Sequence, residues 1–510
     1  MRALISVYEK TGLVPFARGL VDLGFELVAS GGTAAALQEA GLAVTQVEDV
    51  TGFPEMLDGR VKTLHPRIHA AVLVRRDVAE DLASLEEHGI EPFDLVCVNL
   101  YPFSRAAEQP DVADEDVVEM IDVGGPSMLR AAAKNHAHVT AVCRAEDYEG
   151  VLAELRTDGS ISLESRLRLA GTAFATTAAY EAAISSWFQR HEQLPETLVP
   201  AFDRALELSY GENPHQRAAY YAERGRRTHL LSRVEQLCGK PLSFNNLNDL
   251  SAARLLVREF NDPACVIVKH ANPCGVGTAE TIEDAYVRAL SADPLSAYGG
   301  VVVVNRAVSA ALGEALADQF VEVLFAPGYD EQAMEALARK TSVRVLNDTE
   351  RRALTDTEPD YRRVLGGLLV QDRDWAIATR DGMELVCGQV SDEQWDNLLF
   401  AWRVVKHVAS NAIVIARGGQ TIGIGAGQMS RVDAVRIALE KARELGHSPE
   451  GAVLASDAFF PFADGPQLAL DAGVAAIVQP GGSKRDVEVI EAVSAGGSAM
   501  AFTHRRHFRH

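Results

Sequence analysis

Short apolar runs alternate with amphipathic segments over the first third of the chain. Residues 3–7 form an apolar run typical of a buried strand, and Leu13, Phe16 and Leu20 then recur at helical spacing. Further strands are predicted over 25–29, 93–98 and 139–143, a short helix over 34–40, and a long Ala-rich helix over 162–189. Strands that alternate with helices predict a parallel, doubly wound sheet.

Apolar runs predict a second group of buried strands, over 264–268, 299–304, 412–416, 452–455 and 474–478. Three short motifs recur within this region. Val268-Lys269-His270 resembles Val405-Lys406-His407, Gly275-Val276-Gly277 resembles Gly425-Ala426-Gly427, and a helical pattern from Ala285 resembles one from Ala434. The spacing between the copies drifts from 137 to about 150 residues, which predicts two related α/β halves with insertions. Chance similarity is the alternative, because the motifs are short.

A linker marked by Pro195 and Pro200 follows the long helix. We therefore expect one domain over 1–195 and a second over 196–510, the latter divided into halves of roughly 196–365 and 366–510 with a loop near 347–360. The length of 510 residues agrees, since about 150 residues per domain gives three or four units.

The charge balance narrows the possible partners. The chain has 49 Lys and Arg against 71 Asp and Glu, a net charge of −22, which argues against binding to nucleic acid. It has no run of 18 apolar residues and no signal-peptide pattern, so we expect no membrane segment. The six cysteines form no C-x-x-C pair, which favours free thiols in a reducing cytoplasm.

Ser30-Gly31-Gly32-Thr33 lies between a predicted strand and a predicted helix. Two glycines let backbone N–H groups close around an anion, and the helix N-terminus adds its dipole. A tight turn capped by Thr33 is the structural alternative, and the motif alone does not separate the two. Ser6 and Lys10 follow the first strand and would open on the same sheet edge, which favours a phosphate site.

Polar residues at three further places in the first domain are candidates for chemistry. They are Arg60, Lys62 and Thr63 in a Pro-punctuated loop, Tyr101 after a strand, and Asp122 and Lys134 on either side of a helix. Taken singly, each is more typical of a structural residue, such as a solvated basic loop or, for Lys134, a cation that complements a helix dipole. Binding requires that they converge in space.

The second domain carries sharper motifs. Tyr210 opens the polar, turn-prone heptad YGENPHQ, and KHANPCG directly follows a buried strand. Lys269 and His270 could lower each other's pKa by like-charge repulsion, leaving a neutral imidazole as a base. A core histidine beside a surface lysine is the alternative. Asn411 precedes another strand, and the glycine-rich run at 423–431 lacks the order of a dinucleotide loop.

Three further features of the second domain are candidates for ligand or metal binding. Phe459 lies among aromatic residues that form either core or a stacking wall, and the basic segment at 505–510 is expected to fray. Pro273-Cys274 begins like the P-C-x-x-C of zinc nucleoside deaminases, but Gly277 occupies the second cysteine position and no H-x-E precedes it. We therefore predict no metal site.

Twelve motifs occur in an order that points to one family. They are SVYEKTGL, VASGGT, TGFPEMLDGRVKTLHP, NLYPF, GGPSMLRAAAKNH, YGENPHQ, KHANPCG, AYGG, APGY, SNA, IGIGAGQMSR and SDAFFPF. In these motifs, over essentially its whole length, the chain resembles the bifunctional purine-biosynthesis enzymes. That family joins a phosphoribosylaminoimidazolecarboxamide formyltransferase to an inosine monophosphate cyclohydrolase.

The resemblance implies two activities. The C-terminal part would transfer a formyl group from 10-formyltetrahydrofolate to the 5-amino group of the imidazole carboxamide ribotide. The N-terminal part would then close the second ring with loss of water. The resemblance also implies an N-terminal domain like methylglyoxal synthase, two cytidine-deaminase-like units without zinc, no catalytic metal, and a homodimer with transferase sites between its subunits.

The resemblance also implies roles for matching residues. For cyclisation, Lys62, Tyr101, Asp122 and Lys134 would be catalytic, and Ser6, Lys10, Ser30, Gly32, Thr33, Arg60 and Thr63 would hold the substrate. For formyl transfer, Lys269, His270 and Asn411 would be catalytic, and Tyr210, Asn246, Gly299, Glu322, Arg431, Phe459 and Arg506 would bind the ribotide or, for Glu322, the folate.

One residue departs from the family pattern. The family usually has Arg before YGENPHQ, and here the position is Ser209. That arginine helps to hold the substrate, so the resemblance implies weaker affinity for the phosphate or carboxamide at the transferase site unless another cation compensates, and Arg204 and Arg217 are nearby in sequence.

Two other functions remain as alternatives. The P-C fragment suggests a zinc nucleotide deaminase, which stoichiometric zinc would support. The S-G-G-T domain suggests a phosphate-sensing module, which binding without turnover would support.

Overall fold

A computed structural model of the chain describes residues 1–57, 59–109, 111–224, 231, 234–348, 359–376 and 378–510. The described residues form two compact units. The first holds Met1–Asp203 and also residues 223–224, and the second holds Arg204–Ala222 and the residues described from 231 onward.

The first unit is built on a five-stranded sheet. Its strands are β1 (Arg2–Val7), β2 (Glu26–Ala29), β3 (Thr45–Gln46), β4 (Leu95–Asn99) and β5 (Thr140–Val142). They lie in the order β3-β2-β1-β4-β5, and every neighbouring pair is parallel. The strand order reverses at β1, which makes the sheet doubly wound as predicted and places a crevice at the carboxyl ends of β1 and its neighbours.

Helices connect these strands. They are α1 (Leu13–Asp22), α2 (Gly31–Glu39), α3 (Val47–Thr51), α4 (Pro66–Leu73), α5 (Ala79–Glu87), α6 (Phe103–Ala107), α7 (Asp114–Glu119), α8 (Gly124–Lys134), α9 (Tyr148–Asp158) and α10 (Leu163–Phe188). In β1, Ala3 and Ile5 pack towards α1, α2 and α9, whereas Leu4 packs towards α4 and α8. Because both faces are covered, the inner positions of β1, β2 and β4 are apolar in continuous runs instead of alternating.

The remaining elements begin at residue 202. The strands are β6 (Phe202–Leu208), β7 (Ala218–Glu223), β8 (Glu235–Cys238), β9 (Ala264–Lys269), β10 (Asn272–Thr278), β11 (Gly300–Val304), β12 (Val321–Ala326), β13 (Arg344–Asn347), β14 (Pro359–Val364), β15 (Gly367–Asp372), β16 (Glu384–Cys387), β17 (Ile413–Arg417), β18 (Gln420–Gly425), β19 (Val453–Ser456), β20 (Ala476–Gln479) and β21 (Ala499–Phe502). The helices are α11 (Phe244–Val257), α12 (Ile282–Ala292), α13 (Pro294–Ala297), α14 (Ala310–Asp318), α15 (Glu331–Ala338), α16 (Asp392–Val405), α17 (Arg431–Glu444), α18 (Asp464–Asp471) and α19 (Asp486–Ala495).

The second unit repeats one order of elements around a twelve-stranded sheet. The first half has the order β8-α11-β9-β10-α12-β11-α14-β12-α15-β13, with α13 as an extra helix before β11. The second half has the same order, β16-α16-β17-β18-α17-β19-α18-β20-α19-β21. β10 and β18 pair antiparallel at the centre of the sheet. On either side of this pair, the strands of each half follow in the same order, β9-β11-β12-β13-β8 in the first half and β17-β19-β20-β21-β16 in the second. α11 and α16 pack on one face, and the remaining helices cover the other. This repeated order supports the prediction of two related halves.

The alignment behind that prediction is wrong in two of its three matches. Structural counterparts as far as α12 and α17 lie 148 or 149 residues apart, as for Glu235 and Glu384, which begin β8 and β16, or Ser243 and Ser391, which cap α11 and α16. Lys406 caps the end of α16, whereas Lys269 ends β9, so the shared Lys-His is a coincidence. Beyond α12 and α17 the spacing widens to 155 residues, as for Val321 and Ala476, which begin β12 and β20, so the second half contains insertions as predicted.

The glycine match slips by two residues, and the packing shows why. A Cβ atom on Gly275 would lie 1.9 Å from the carbonyl oxygen of Ala289, and one on Gly423 would lie 2.1 Å from that of Ala438. A helix therefore packs directly on the strand backbone at both places. These glycines serve helix packing and do not form a dinucleotide loop.

A two-stranded hairpin, β14–β15, lies between the halves. The boundary predicted at 365/366 falls within its turn, because Val364 pairs with Gly367. Most of the loop predicted near 347–360 lies outside the described residues.

The prediction that residues 505–510 fray is wrong. His507 is 3% exposed, and its backbone N–H donates to the Asp457 carbonyl at 2.9 Å. Its Nδ1 also pairs with the Asp374 carboxylate. The segment is therefore fixed against the second half.

Candidate active sites

A cavity of about 600 Å³ opens at the carboxyl ends of β1, β2 and β4. It brings together Ser6, Lys10, Ser30, Gly32, Thr33, Arg60, Lys62, Thr63, Tyr101 and Asp122. The fold supplies the convergence that sequence could not show, because neighbouring parallel strands end at the same edge of the sheet.

One end of the cavity has the donors of an anion site. Helix α2 begins at Gly31, earlier than predicted, and its first backbone N–H groups lack partners within the helix. The hydroxyls of Ser6 and Ser30 lie 3.4 Å apart, and Lys10 Nζ lies 3.5 Å from Thr33 Oγ1. Backbone N–H groups, hydroxyls and an ammonium group thus face one volume, which suits a phosphate.

The alternative in which Thr33 caps α2 is wrong. Ser30 occupies the N-cap position, and Thr33 lies within the first turn. Thr33 Oγ1 donates to the Val7 carbonyl at 3.0 Å and accepts the Val7 N–H at 3.0 Å. Thr33 therefore ties the start of α2 to the end of β1.

Lys62 enters the cavity in an ion pair that the sequence did not indicate. Its Nζ lies 2.8 Å from Glu55 Oε1. A Cβ atom on Gly59 would lie 2.5 Å from Lys62 Cε, so glycine leaves the space that the lysine occupies. Glu55 and Lys62 lie seven residues apart in the same motif, and this closeness in sequence is the one feature from which the ion pair could have been predicted.

Arg60 is more exposed than Lys62. It pairs with Glu119, and both side chains are more than half exposed. A pair of this kind contributes little to stability and separates easily, which leaves the guanidinium available to an anionic ligand.

Asp122 is a half-buried carboxylate beside the first turn of α8. Its Oδ1 accepts the Gly125 N–H at 2.7 Å. Burial raises the pKa of Asp122, while backbone hydrogen bonds from Gly125 and Tyr101 oppose the rise. A carboxylate with a raised pKa is a stronger base once ionised.

Tyr101 follows β4 and faces the same cavity. Burial and, secondarily, the charge of Asp122 raise the pKa of Tyr101, so the phenol remains protonated at neutral pH. Its ring lies 5.4 Å from that of Tyr8, which also lines the cavity. Tyr101 is therefore a proton donor beside a base.

Tyr180, which sequence reasoning missed, holds this group in place. Its hydroxyl accepts the Asp122 N–H at 2.7 Å and donates to the Met120 carbonyl at 2.9 Å. It lies on α10, where it reads as one more residue of a long apolar helix, so the sequence carried no signal for it.

Lys134 is not brought to this cavity. It ends α8, whereas Gly124 and Gly125 at the start of the same helix line the cavity. With a rise of 1.5 Å per residue, the two ends lie about 15 Å apart.

In the second unit, Lys269 and His270 lie where β9 turns into β10. Lys269 Nζ donates to the Tyr298 carbonyl at 2.8 Å, next to Gly299. The backbone of His270 and Ala271 is left-handed, with φ of 55° and 59°. Asp249, also missed from sequence, accepts the N–H groups of both residues at 3.2 and 2.7 Å.

The other candidates of the first half are held by hydrogen bonds of their own. Asn246 Nδ2 donates to Glu322 Oε2 at 2.8 Å, and Asn246 also completes the capping box of α11. The backbone carbonyl of Tyr210 accepts the N–H of Phe244 at 3.2 Å, and the Gly299 N–H donates to the Phe320 carbonyl at 2.8 Å. We call this the first-half cluster: Lys269, His270, Tyr210, Asn246, Gly299 and Glu322.

The second-half cluster consists of Asn411, Arg431, Phe459 and Arg506, which line a cavity of about 450 Å³. Arg431 Nη2 donates to Asn411 Oδ1 at 2.7 Å, and Nη1 donates to Asp457 Oδ1 at 2.5 Å. Asp457, missed from sequence, is completely buried and fixes the guanidinium. Phe459 is 38% exposed and Arg506 is exposed, so an aromatic face and a cation are open to a ligand.

The position of Ser209 bears on its departure from the family pattern. Ser209 Oγ donates to the Leu242 carbonyl at 3.2 Å. Arg204 is five residues back along β6, roughly 17 Å away for an extended strand. Arg217 is closer, since its neighbour Gln216 accepts the Gly211 N–H at 2.8 Å.

In the part of the chain that the structure describes, no group of three or more His, Cys, Asp or Glu side chains could hold a metal ion. Burial raises the pKa of the Cys274 thiol to about 12, which makes it a poor zinc ligand. No helix in that part is long and apolar enough to cross a membrane.

Known proteins resemble this chain over its full length. The AICARFT/IMPCHase bienzyme family matches residues 132–441, and the MGS-like domain matches residues 12–127. The bifunctional purine biosynthesis protein PurH of Halalkalibacterium halodurans is 48% identical, covering 100% of this chain and 99% of its own. The PurH protein of Anoxybacillus flavithermus is 49% identical with the same coverage. A solved structure titled "Crystal structure of ForH" is 40% identical over 37% of this chain and 98% of its own, with a TM-score of 0.34.

Proposed function

The chain belongs to the AICARFT/IMPCHase bienzyme family, and from this premise we propose which residues carry out its two reactions. It is a bifunctional enzyme of purine biosynthesis with formyltransferase and inosine monophosphate cyclohydrolase activities. Its formyl donor is a folate derivative. We propose 10-formyltetrahydrofolate as that donor, with no metal taking part in either reaction.

Cyclisation is proposed to occur in the cavity of the first unit. The observation that carries this assignment is the convergence of Lys62, Tyr101 and Asp122 beside an anion-binding end. Ser6, Lys10, Ser30, Gly32 and Thr33 would hold the phosphate, with Arg60 and Thr63 along the ribotide.

The chemistry follows from the environment of each group. The carboxamide nitrogen attacks the formyl carbon and forms a C–N bond, and Asp122 accepts the proton that the nitrogen loses. Lys62 stabilises the oxyanion that develops on the formyl oxygen. The proton held by Asp122 then converts the oxyanion to a hydroxyl. Tyr101 protonates that hydroxyl as its C–O bond breaks and water leaves, while the formamide nitrogen forms the C=N bond and returns its own proton to the tyrosinate. Both reacting groups belong to one ring, so the step is intramolecular.

For Lys134 we propose a smaller contribution to cyclisation than for Lys62. Lys134 is a predicted catalytic residue whose position at the far end of α8 gives it no direct contact with the cavity. Lys134→Ala should therefore reduce cyclisation far less than Lys62→Ala.

Formyl transfer is proposed to use both clusters of the second unit. His270 would accept the proton of the attacking amine, and Lys269 would stabilise the formyl oxygen and protonate the departing folate nitrogen. Asn411, fixed by Arg431, would orient the formyl group. Phe459 supplies a stacking face, Arg506 and Arg431 supply cations, and Tyr210, Asn246, Gly299 and Glu322 line the first-half side.

We also propose a homodimer with transferase sites between its subunits. Large apolar side chains beside the first-half cluster support it: Leu295 is 80% exposed and Tyr298 60%. Surfaces of this kind usually mark an interface. A cytoplasmic location is proposed because all six cysteines are free.

The domain assignment is part of the proposal. Residues 1–195 would carry cyclisation, and 196–510, in two related halves, would carry formyl transfer. The test is incubation with the ribotide and 10-formyltetrahydrofolate while the ultraviolet spectrum is followed for inosine monophosphate. Product formation without added zinc supports the proposal, and a zinc-dependent loss of the ribotide amino group would contradict it.

A further inference from the structure

Arg509 lies between the two loops that carry the proposed transferase residues. Its Nη1 donates to the carbonyl of Ala271 at 2.8 Å and to that of His407 at 2.6 Å. Its own backbone carbonyl accepts the Ser410 N–H at 2.8 Å. One residue thus contacts the turn after Lys269-His270 and the segment that leads to Asn411.

The first of these loops holds an unfavourable conformation. A left-handed backbone costs free energy in any residue with a Cβ atom, and here His270 and Ala271 both adopt it in succession. Asp249 secures the N–H side of the turn. The guanidinium of Arg509 secures the carbonyl side, because it neutralises the partial charge of the Ala271 oxygen.

The second loop is bound to the first through the same place. Asn272 Oδ1, one residue beyond Ala271, accepts the Ala409 N–H at 2.8 Å. Ser410 is held by the Arg509 backbone, and Asn411 follows it directly. Removing the Arg509 side chain would therefore release the shared carbonyl anchor of both loops while leaving the Asn272 bond in place.

We propose that Arg509 is a positioning residue for formyl transfer, which fixes the Lys269-His270 turn relative to Asn411. It touches neither substrate in this account and acts through the backbone of the two loops. The inference rests on the proposed roles of Lys269, His270 and Asn411.

The test is steady-state kinetics of both activities in the full-length Arg509→Ala protein. We expect kcat for formyl transfer to fall about 10- to 100-fold, since displacements near 1 Å have effects of that size. KM for the ribotide and the folate should change less than about threefold, and cyclisation of supplied formylated ribotide should be unchanged. Guanidinium ion at millimolar, non-denaturing concentration should restore part of the lost kcat, because it can occupy the vacated space.

Arg505→Ala is the matched control, because Arg505 is an exposed arginine of the same segment. It should leave both activities at wild-type levels. If Arg509→Ala does not fold, Arg509→Lys provides the second measurement. The planar guanidinium contacts two carbonyls at once, and a lysine cannot reproduce that geometry, so kcat should still fall at unchanged KM.

Three results would overturn the inference. They are a wild-type kcat in Arg509→Ala, a loss that guanidinium does not relieve and that coincides with a lower melting temperature, and an equal loss of both activities. Lys269→Ala measured in parallel separates this inference from the site assignment. If Lys269→Ala is inactive and Arg509→Ala is not, only the positioning role fails, whereas an active Lys269→Ala removes the proposed site itself.

Discussion

At the scale of single residues, burial gives Asp122 and Tyr101 complementary tasks. Burial raises the pKa of both side chains. The phenol therefore stays protonated as a donor, and the carboxylate, once ionised, is a stronger base than an exposed one. A base and an acid in one cavity are what a condensation with loss of water requires.

The first prediction concerns the pH dependence of cyclisation. Asp122 must be ionised to accept a proton, so kcat/KM should fall on the acid side with a midpoint above the ordinary carboxyl value of 3.8. The measurement is the pH–rate profile with formylated ribotide. A midpoint at or below the ordinary value would contradict a buried base.

The same shift predicts a stability effect with a definite sign. A raised carboxyl pKa means that the fold favours the neutral form, so stability is lost as the pH rises through the folded-state pKa. Asp122→Asn mimics the neutral form and keeps an oxygen for the Gly125 N–H. It should abolish cyclisation while leaving the melting temperature at pH 7 equal or higher, and this difference should vanish at low pH. A marked loss of stability at pH 7 would mean that the charge is compensated in the fold.

The Ser209 position supports another prediction. Arg217 lies beside the YGENPHQ loop, and Arg204 lies farther away along β6. Ser209→Arg should lower KM for the ribotide in formyl transfer by about tenfold, the contribution of one hydrogen bond to a charged group. An unchanged KM would show that Arg217 already compensates, and Arg217→Ala in the same assay should then raise it.

At the scale of elements, each half of the second unit has a helix that packs directly on the backbone of a strand, at positions where the strand has glycine. Gly423 and Gly425 lie under α17 as Gly275 and Gly277 lie under α12. The atoms they meet are main-chain carbonyls, which cannot move aside as a flexible side chain can. This contact sets the distance between sheet and helix in both halves.

Gly423→Ala should therefore destabilise the second unit. The added Cβ would lie 2.1 Å from a helix carbonyl, and overpacking of this kind costs about 1–3 kcal/mol. The measurement is chemical denaturation followed by a probe in the second unit. Gly367→Ala is the control, because a Cβ atom there meets nothing within 4 Å. Equal stability of the two variants would contradict the packing account.

The elements themselves were largely predictable from the sequence. Strands buried on both faces read as continuous apolar runs, and the long helix predicted over 162–189 is observed as Leu163–Phe188. The register of the repeat was not predictable, because Lys-His and Gly-x-Gly are too short to distinguish homologous positions from chance. The order of sheet strands and the packing glycines reveal it only in three dimensions.

The candidate sites, too, were only partly predictable from local sequence patterns. Motif order selected the residues that meet in the first cavity, but Glu55, Tyr180, Asp249 and Asp457 act by holding others and have no signature of their own. The segment at 505–510 looked like a loose basic end, because its anchors lie on distant parts of the chain. Long-range contacts of this kind cannot be derived from local pattern.

At the scale of the whole molecule, the net charge of −22 contrasts with the local charge of the sites. Lys10, Arg60 and Lys62 face the first cavity, and Arg431 and Arg506 face the second-half cavity. Both proposed substrates are anionic. The global charge argues against nucleic acid as a partner, whereas the local cations suit small anions.

The proposed homodimer predicts a difference between the two activities on dilution. The first cavity is formed by residues of one chain, whereas the transferase site is proposed to need two. Specific formyltransferase activity should therefore fall at concentrations where sedimentation shows monomers, and specific cyclohydrolase activity should not. Transferase activity that is independent of dissociation would contradict a shared site.

The most direct test of the account separates the two reactions in one chain. Asp122→Ala protein, given the ribotide and 10-formyltetrahydrofolate, should accumulate the formylated ribotide and form no inosine monophosphate. Lys269→Ala protein should form nothing from those substrates, yet should convert supplied formylated ribotide at the wild-type rate. If either substitution removes both activities from a folded protein, the assignment of two separate sites is wrong.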